Sequence, residues 1–138
     1  MFTIDASVHV NAVHLNEVGS VQSRLFLRQV RQQNSLIFAP TLLLVELAGT
    51  LARSLNDTTK AIVLAQALYQ LPGIRWELLN NKLANEASRF AATYRLRGAD
   101  AVYAAVAHKY DTTLVTWDKQ QLQRLAGIIK VKRPSEVF

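Results

Sequence analysis

The sequence predicts an α/β fold, a largely parallel sheet of five strands with helices on both faces. Three observations predict it. Short apolar runs alternate with longer stretches of helical period, the pattern of strand–helix repeats. The segments between runs are long enough for right-handed crossovers. Five Gly and three Pro are all that punctuate 138 residues, and no repeat, low-complexity tract or charge block divides them. The chain therefore reads as one domain over residues 1–138, since a single core typically organises roughly 100–200 residues.

Each element follows from local chemistry. Phe2-Thr3-Ile4 is a short strand leading into Asp5-Ala6-Ser7. Residues from about Ser7 to Leu15 and from Ser20 to Gln32 read as helices, the second with Val21, Leu25, Leu27 and Val30 near helical spacing. Ser35 to Ala39 is a buried strand ended by Pro40, and Thr41 is placed to cap a helix reaching Leu55. Asp57 and Thr58 offer the cap of another helix, which Pro72-Gly73 stops after Leu71. Ile74 to Leu79 is a third strand, Asn80-Asn81 a turn, and Lys82 to Leu96 an amphipathic helix that Gly98 breaks. An alanine-rich helix from Ala99 to Lys109 follows, small enough in its side chains to pack closely. Thr112 to Thr116 is the fourth strand, Asp118 to Leu125 a short helix, and Ile128 to Val131 the last strand.

Composition narrows the function. Half of the residues are apolar, too many for a disordered chain. There is no Cys, which excludes disulfides, thiolate zinc sites and thiol nucleophiles. The first residues lack the basic and apolar regions of a signal peptide. No apolar stretch reaches the roughly 18 residues of a spanning helix; the longest candidate, Leu42 to Ala48, is interrupted by Glu46. The protein is expected to be soluble and cytoplasmic, with no membrane partner. Sixteen Lys and Arg against ten Asp and Glu give a net charge of +6, which fits a polyanionic partner.

In an open α/β sheet, ligands bind beyond the carboxyl ends of the strands. Asp5 follows the first strand, Glu46 lies early in the helix after the second, Asp100 heads the alanine-rich helix, and Asp118 follows the fourth strand after Thr116. Each has a plainer reading. Asp5 is placed to cap a helix, Asp118 with Gln121 fits a capping-box variant, and Asp100 suits a first helical turn. Glu46 has Gly49, Thr50 and Arg53 as helical neighbours, so it is either a solvated partner of Arg53 or a ligand-site carboxylate with space beside it. As a set they say more, because carboxylates that converge repel one another unless a cation lies between them. All-oxygen ligands favour Mg²⁺ or Mn²⁺ over Zn²⁺. A hard cation in a basic protein points to phosphodiester chemistry on nucleic acid. Gly-rich phosphate loops and G-x-S-x-G elbows are absent. Trp76 on a strand reads as core, whereas Trp117 beside the acids is a candidate for stacking on a base.

Asp5-Ala6-Ser7, Pro40 with Glu46, the run Gly98-Ala99-Asp100-Ala101-Val102-Tyr103-Ala104-Ala105, and Leu114-Val115-Thr116-Trp117-Asp118 together resemble a PIN domain of the VapC toxin type, over essentially the whole chain. The resemblance implies a three-layer α/β/α sandwich around a five-stranded parallel sheet, and a metal-dependent ribonuclease site. By that analogy Asp5, Glu46 and Asp100 fill the family's three main acidic positions and Asp118 its more variable fourth. Thr116 and Ser7 match its hydroxyl positions, and Trp117 departs from a position often polar. The expected activity is that of a Mg²⁺- or Mn²⁺-dependent endoribonuclease acting on RNA. The expected partners are a cognate antitoxin and a second copy in a homodimer. The alternative is a PIN-like module that binds RNA or protein without turnover, and a DNA-directed nuclease is a third possibility.

Overall fold

The structure, a computed structural model, describes residues Met1 to Phe138. Its sheet is built from β1 (Phe2–Ile4), β2 (Ile37–Pro40), β3 (Ile74–Glu77), β4 (Thr113–Val115) and β5 (Val131–Lys132). The helices are α1 (Ala6–Val13), α2 (Ser20–Gln32), α3 (Leu42–Leu55), α4 (Thr58–Tyr69), α5 (Asn81–Tyr94), α6 (Gly98–Lys109) and α7 (Lys119–Arg124), with a 3₁₀ turn at Pro134–Glu136. Every strand pair is parallel, in the order β3-β2-β1-β4-β5. The expected α/β sandwich is the fold observed.

Two features of this topology position the functional residues. The chain steps outward from β1 to β2 to β3, then returns to place β4 on the other side of β1. The strand order therefore reverses between β1 and β4, where an open sheet leaves a crevice at its carboxyl edge. The register Thr3↔Leu114 and Ile4↔Val115 brings the ends of these two strands level, and the Asp5 N–H donates to the Val115 carbonyl at 3.0 Å.

Successive residues face opposite sides of the sheet. Ile4 and Val115 pack with Val8 of α1 and Phe26 and Val30 of α2. Ala39 and Leu114 join a larger core with α3, α4, α5 and α6. Every residue of α6 from Ala101 to Ala107 is buried, as befits a helix pressed against β1, β2 and β4 through small side chains. Its first turn carries Asp100 to the crevice.

Several boundaries differ from expectation. Pro40 is the last residue of β2 rather than a terminator before it, and Thr41 has helical backbone angles and makes no side-chain cap bond. Arg95, in the left-handed region at φ 56°, ends α5, so Gly98 opens α6 rather than breaking a helix. The last strand lies at Val131–Lys132, because Leu114 and Val115 pair there; Ile128 and Ile129 bond back to Leu125 in a turn containing Gly127 at φ 79°. No helix is long and apolar enough to cross a membrane.

Because Ala104 has no exposed surface, Ala104→Leu should lower the unfolding free energy by about 1–3 kcal/mol through overpacking. The check is a urea titration, read as a fall in midpoint at unchanged slope.

Candidate active site

The carboxyl end of β1 becomes the start of α1 at Asp5, whose extended backbone (φ −68°, ψ 151°) suits an N-cap. Its Oδ2 accepts from the Ser7 N–H at 3.2 Å, the Ser7 hydroxyl at 2.5 Å and the Thr116 hydroxyl at 3.0 Å. The cap is thus also the node that ties β1 to β4. Thr116, fully buried, accepts in turn from the Asp118 N–H at 2.9 Å. Asp118 caps α7, its Oδ1 accepting from the Gln121 N–H at 2.8 Å.

The other two acids arrive on helices. Glu46 of α3 accepts from the Tyr103 hydroxyl at 2.6 Å through Oε2. Arg53 donates to Thr50 at 3.4 Å instead of pairing with Glu46. Asp100 of α6 accepts from the Gln121 side-chain Nε2 at 2.9 Å through Oδ1, and its Oδ2 is buried with no partner.

All four carboxylates line one cavity of about 470 Å³, with Ser7, Trp117 and a fifth acid, Glu17, also on its wall. None of the four has an ion-pair partner, although the chain carries 16 Lys and Arg. The ion pairs lie elsewhere, at Lys109–Glu77, Lys130–Asp111 and Arg133–Glu136. The electrostatic result follows. Burial pushes the Asp5 carboxyl up, against the hydrogen bonds from Ser7 and Thr116. Burial raises Glu46 as well, and the charges of Asp5 and Asp100 add to it. Asp100 is raised by burial, then by Asp5 and Asp118. Burial therefore disfavours the charged form of all three, and neighbouring carboxylates add to this at Glu46 and Asp100, a penalty that nearby positive charge relieves.

The PIN domain family model matches residues 2–128. The chain belongs to the PIN domain family. Among solved structures, VapC20 of Mycobacterium tuberculosis, a sarcin–ricin loop cleaving toxin, aligns with a TM-score of 0.74 at 18% identity, covering 96% of this chain and 99% of that one. FitAcB of Neisseria gonorrhoeae gives 0.70 at 21% identity, covering 99% and 100%. VapBC2 of Rickettsia felis, bound to a DNA fragment from its promoter, gives 0.70 at 14%, covering 96% and 97%. At these identities the likeness establishes the fold. No curated protein matches the sequence.

The donor set of this PIN domain fits a hard cation by its chemistry: oxygen ligands, uncompensated charge and an orphaned Asp100 oxygen. No three His, Asp or Glu side chains close around one point, so the acids share a cavity rather than a finished cage. Thr116 reaches Asp5 but does not line the cavity, which fits orienting a carboxylate and not holding a water.

Reading the sequence alone assigns no site role to Tyr103 or Gln121 and does not single out Glu17. The first two are fully buried polar side chains, so each needs a partner. That requirement was the only available signal. Trp117 lines the cavity as expected, held by its N–H on Ser7 at 3.1 Å and its Nε1 on Ser23 at 2.7 Å. Its ring fixes Gly19, where a Cβ would sit 2.7 Å from Cζ2 and φ is +87°. Trp76 is away from the cavity, its Nε1 donating to the Tyr69 carbonyl at 3.3 Å, and it packs against the core.

The sign of the pH dependence follows from the raised carboxyls. A carboxyl whose pKa is higher folded than unfolded binds its proton more tightly in the folded state, so stability falls as pH rises through that interval. Metal-free Asp100→Asn should therefore melt at least about 3 °C above the parent protein at pH 7. The gap should close as pH falls towards about 3.9, the unperturbed value, and thermal melts across pH test it.

Proposed function

We propose that this PIN domain is a Mg²⁺- or Mn²⁺-dependent endoribonuclease that hydrolyses RNA phosphodiester bonds. We further propose that it is the toxin of a type II toxin–antitoxin pair, working in the cytoplasm as a homodimer and silenced by a cognate antitoxin. One observation carries the catalytic reading: four carboxylates share a cavity with no Lys or Arg bridged to any of them, in a chain of net charge +6. A structural cluster of acids would be paired with bases, and here sixteen were available. The toxin reading draws on the likeness to VapC20 and to a Klebsiella pneumoniae toxin–antitoxin complex.

In this reading Asp5 and Asp100, helped by Glu46 and Asp118, hold the cation. A bound Mg²⁺ or Mn²⁺ supplies a Lewis acid for the phosphate and lowers the pKa of an attacking water. Asp5 needs a fixed orientation, and Thr116 and Ser7 provide it from two separate segments. Glu46 is steered by Tyr103. The net charge of +6 attracts the polyanion, while the acids keep its phosphates from binding in the cavity without a metal. In-line attack then depends chiefly on positioning and electrostatic stabilisation.

The open arrangement of the acids favours one rival, a module that binds RNA or protein without turnover. Purified protein incubated with RNA and with DNA of the same sequence separates the readings. Cleavage of RNA should require Mn²⁺ or Mg²⁺ and stop in EDTA. Asp5→Asn and Asp100→Asn should each slow it at least about 100-fold, equivalent to about 2.7 kcal/mol of barrier. Equal cleavage in EDTA overturns the metal-dependent mechanism; retention of RNA without cleavage in any metal establishes the binding module.

A further inference from the structure

Gln121 has no exposed surface, yet its carboxamide carbonyl has no hydrogen-bond partner. Burying an unpartnered acceptor destabilises the fold, and an apolar side chain of the same length would avoid that. The remaining bonds of Gln121 are specific. Its Nε2 donates to Asp100 Oδ1 at 2.9 Å, and its backbone N–H donates to Asp118 Oδ1 at 2.8 Å. One residue of α7 thus contacts two acids brought from different elements. We infer that Gln121 is a positioning residue that fixes the Asp100 carboxylate without neutralising it.

The chemistry of the alternatives supports this. A Lys or Arg at this position would hold Asp100 but would also cancel the charge that a cation needs. A Leu or Met would leave Asp100 Oδ1 without a donor and free the carboxylate to rotate. A neutral amide long enough to span from α7 combines a directed donor with unspent charge, the role that hydrogen-bonding partners behind metal ligands perform. Asp100 Oδ2 stays unpartnered on the same carboxylate. The inference rests on the metal-dependent reading above.

The test is Mn²⁺ affinity by isothermal titration calorimetry, paired with metal-free melting temperature, on the full chain. Gln121→Met should bind Mn²⁺ about 10- to 100-fold more weakly, while still unfolding in one cooperative transition without metal. Gln121→Leu serves if the Met variant does not fold. A folded variant that binds Mn²⁺ as the parent does would overturn the inference whatever its melting temperature, assigning Gln121 to packing alone. If the parent protein itself binds no Mn²⁺, the metal reading fails separately. The pairing is then decided by metal-free melts of Gln121→Met, Asp100→Ala and the double variant: non-additive shifts sustain it and additive shifts overturn it.

Discussion

Mutual repulsion among carboxylates gathered without counter-charge is the constraint that the rest of the arrangement serves. Asp5 raises the protonation tendency of Glu46 and Asp100, Asp100 that of Glu46, and all three are partly withdrawn from water. The protein answers with neutral donors. Hydroxyls of Ser7 and Thr116 hold Asp5, the Tyr103 phenol holds Glu46, and the Gln121 amide holds Asp100. Each bond lessens the cost of one carboxylate and fixes its direction. None removes net charge. The cluster is therefore ordered and still electrostatically unsatisfied, a combination suited to capturing a cation and wasteful in a purely structural role.

The fold supplies the convergence. Reversal of strand order between β1 and β4 puts Asp5 and Thr116 side by side, so the hydroxyl of one strand end can reach the carboxylate of the other. The close packing of α6, possible because its buried face is largely Ala and Val, carries Asp100 and Tyr103 to the same edge. Tyr103 lies one turn along from Asp100 and reaches across to α3, so a single helix places one acid and steers another. On the far wall, Trp117 packs so tightly on Gly19 that the α1–α2 connection is set by the residue adjoining Asp118. The site is thus built at the junction of elements that also close the core.

Much of this was readable from residues near one another in the chain. Strand ends followed by Asp5 and by Thr116-Trp117-Asp118 stand out because apolar runs end there, and the capping roles of Asp5 and Asp118 are local. The reading of Asp118 with Gln121 was half right. The backbone bond of that cap forms, but the Gln121 side chain turns to Asp100 instead of back to its own helix. Partners set by tertiary packing were not legible. Tyr103 and Glu46 are 57 positions apart, and nothing in either neighbourhood names the other. The final strand was misplaced for a related reason: Ile128 and Ile129 carry the apolar signal, whereas register with β4 selects Val131 and Lys132.

The acids at the β1–β4 junction form no ion pair with any Lys or Arg, and in the proposed function a divalent cation takes that place. Diffraction from crystals grown with Mn²⁺, recorded near the manganese absorption edge, examines this without reference to any substrate. An anomalous peak is expected in the cavity, in contact with oxygens of Asp5 and Asp100. A cavity with no such peak at saturating Mn²⁺, or with a Lys or Arg side chain folded among the acids, would contradict it.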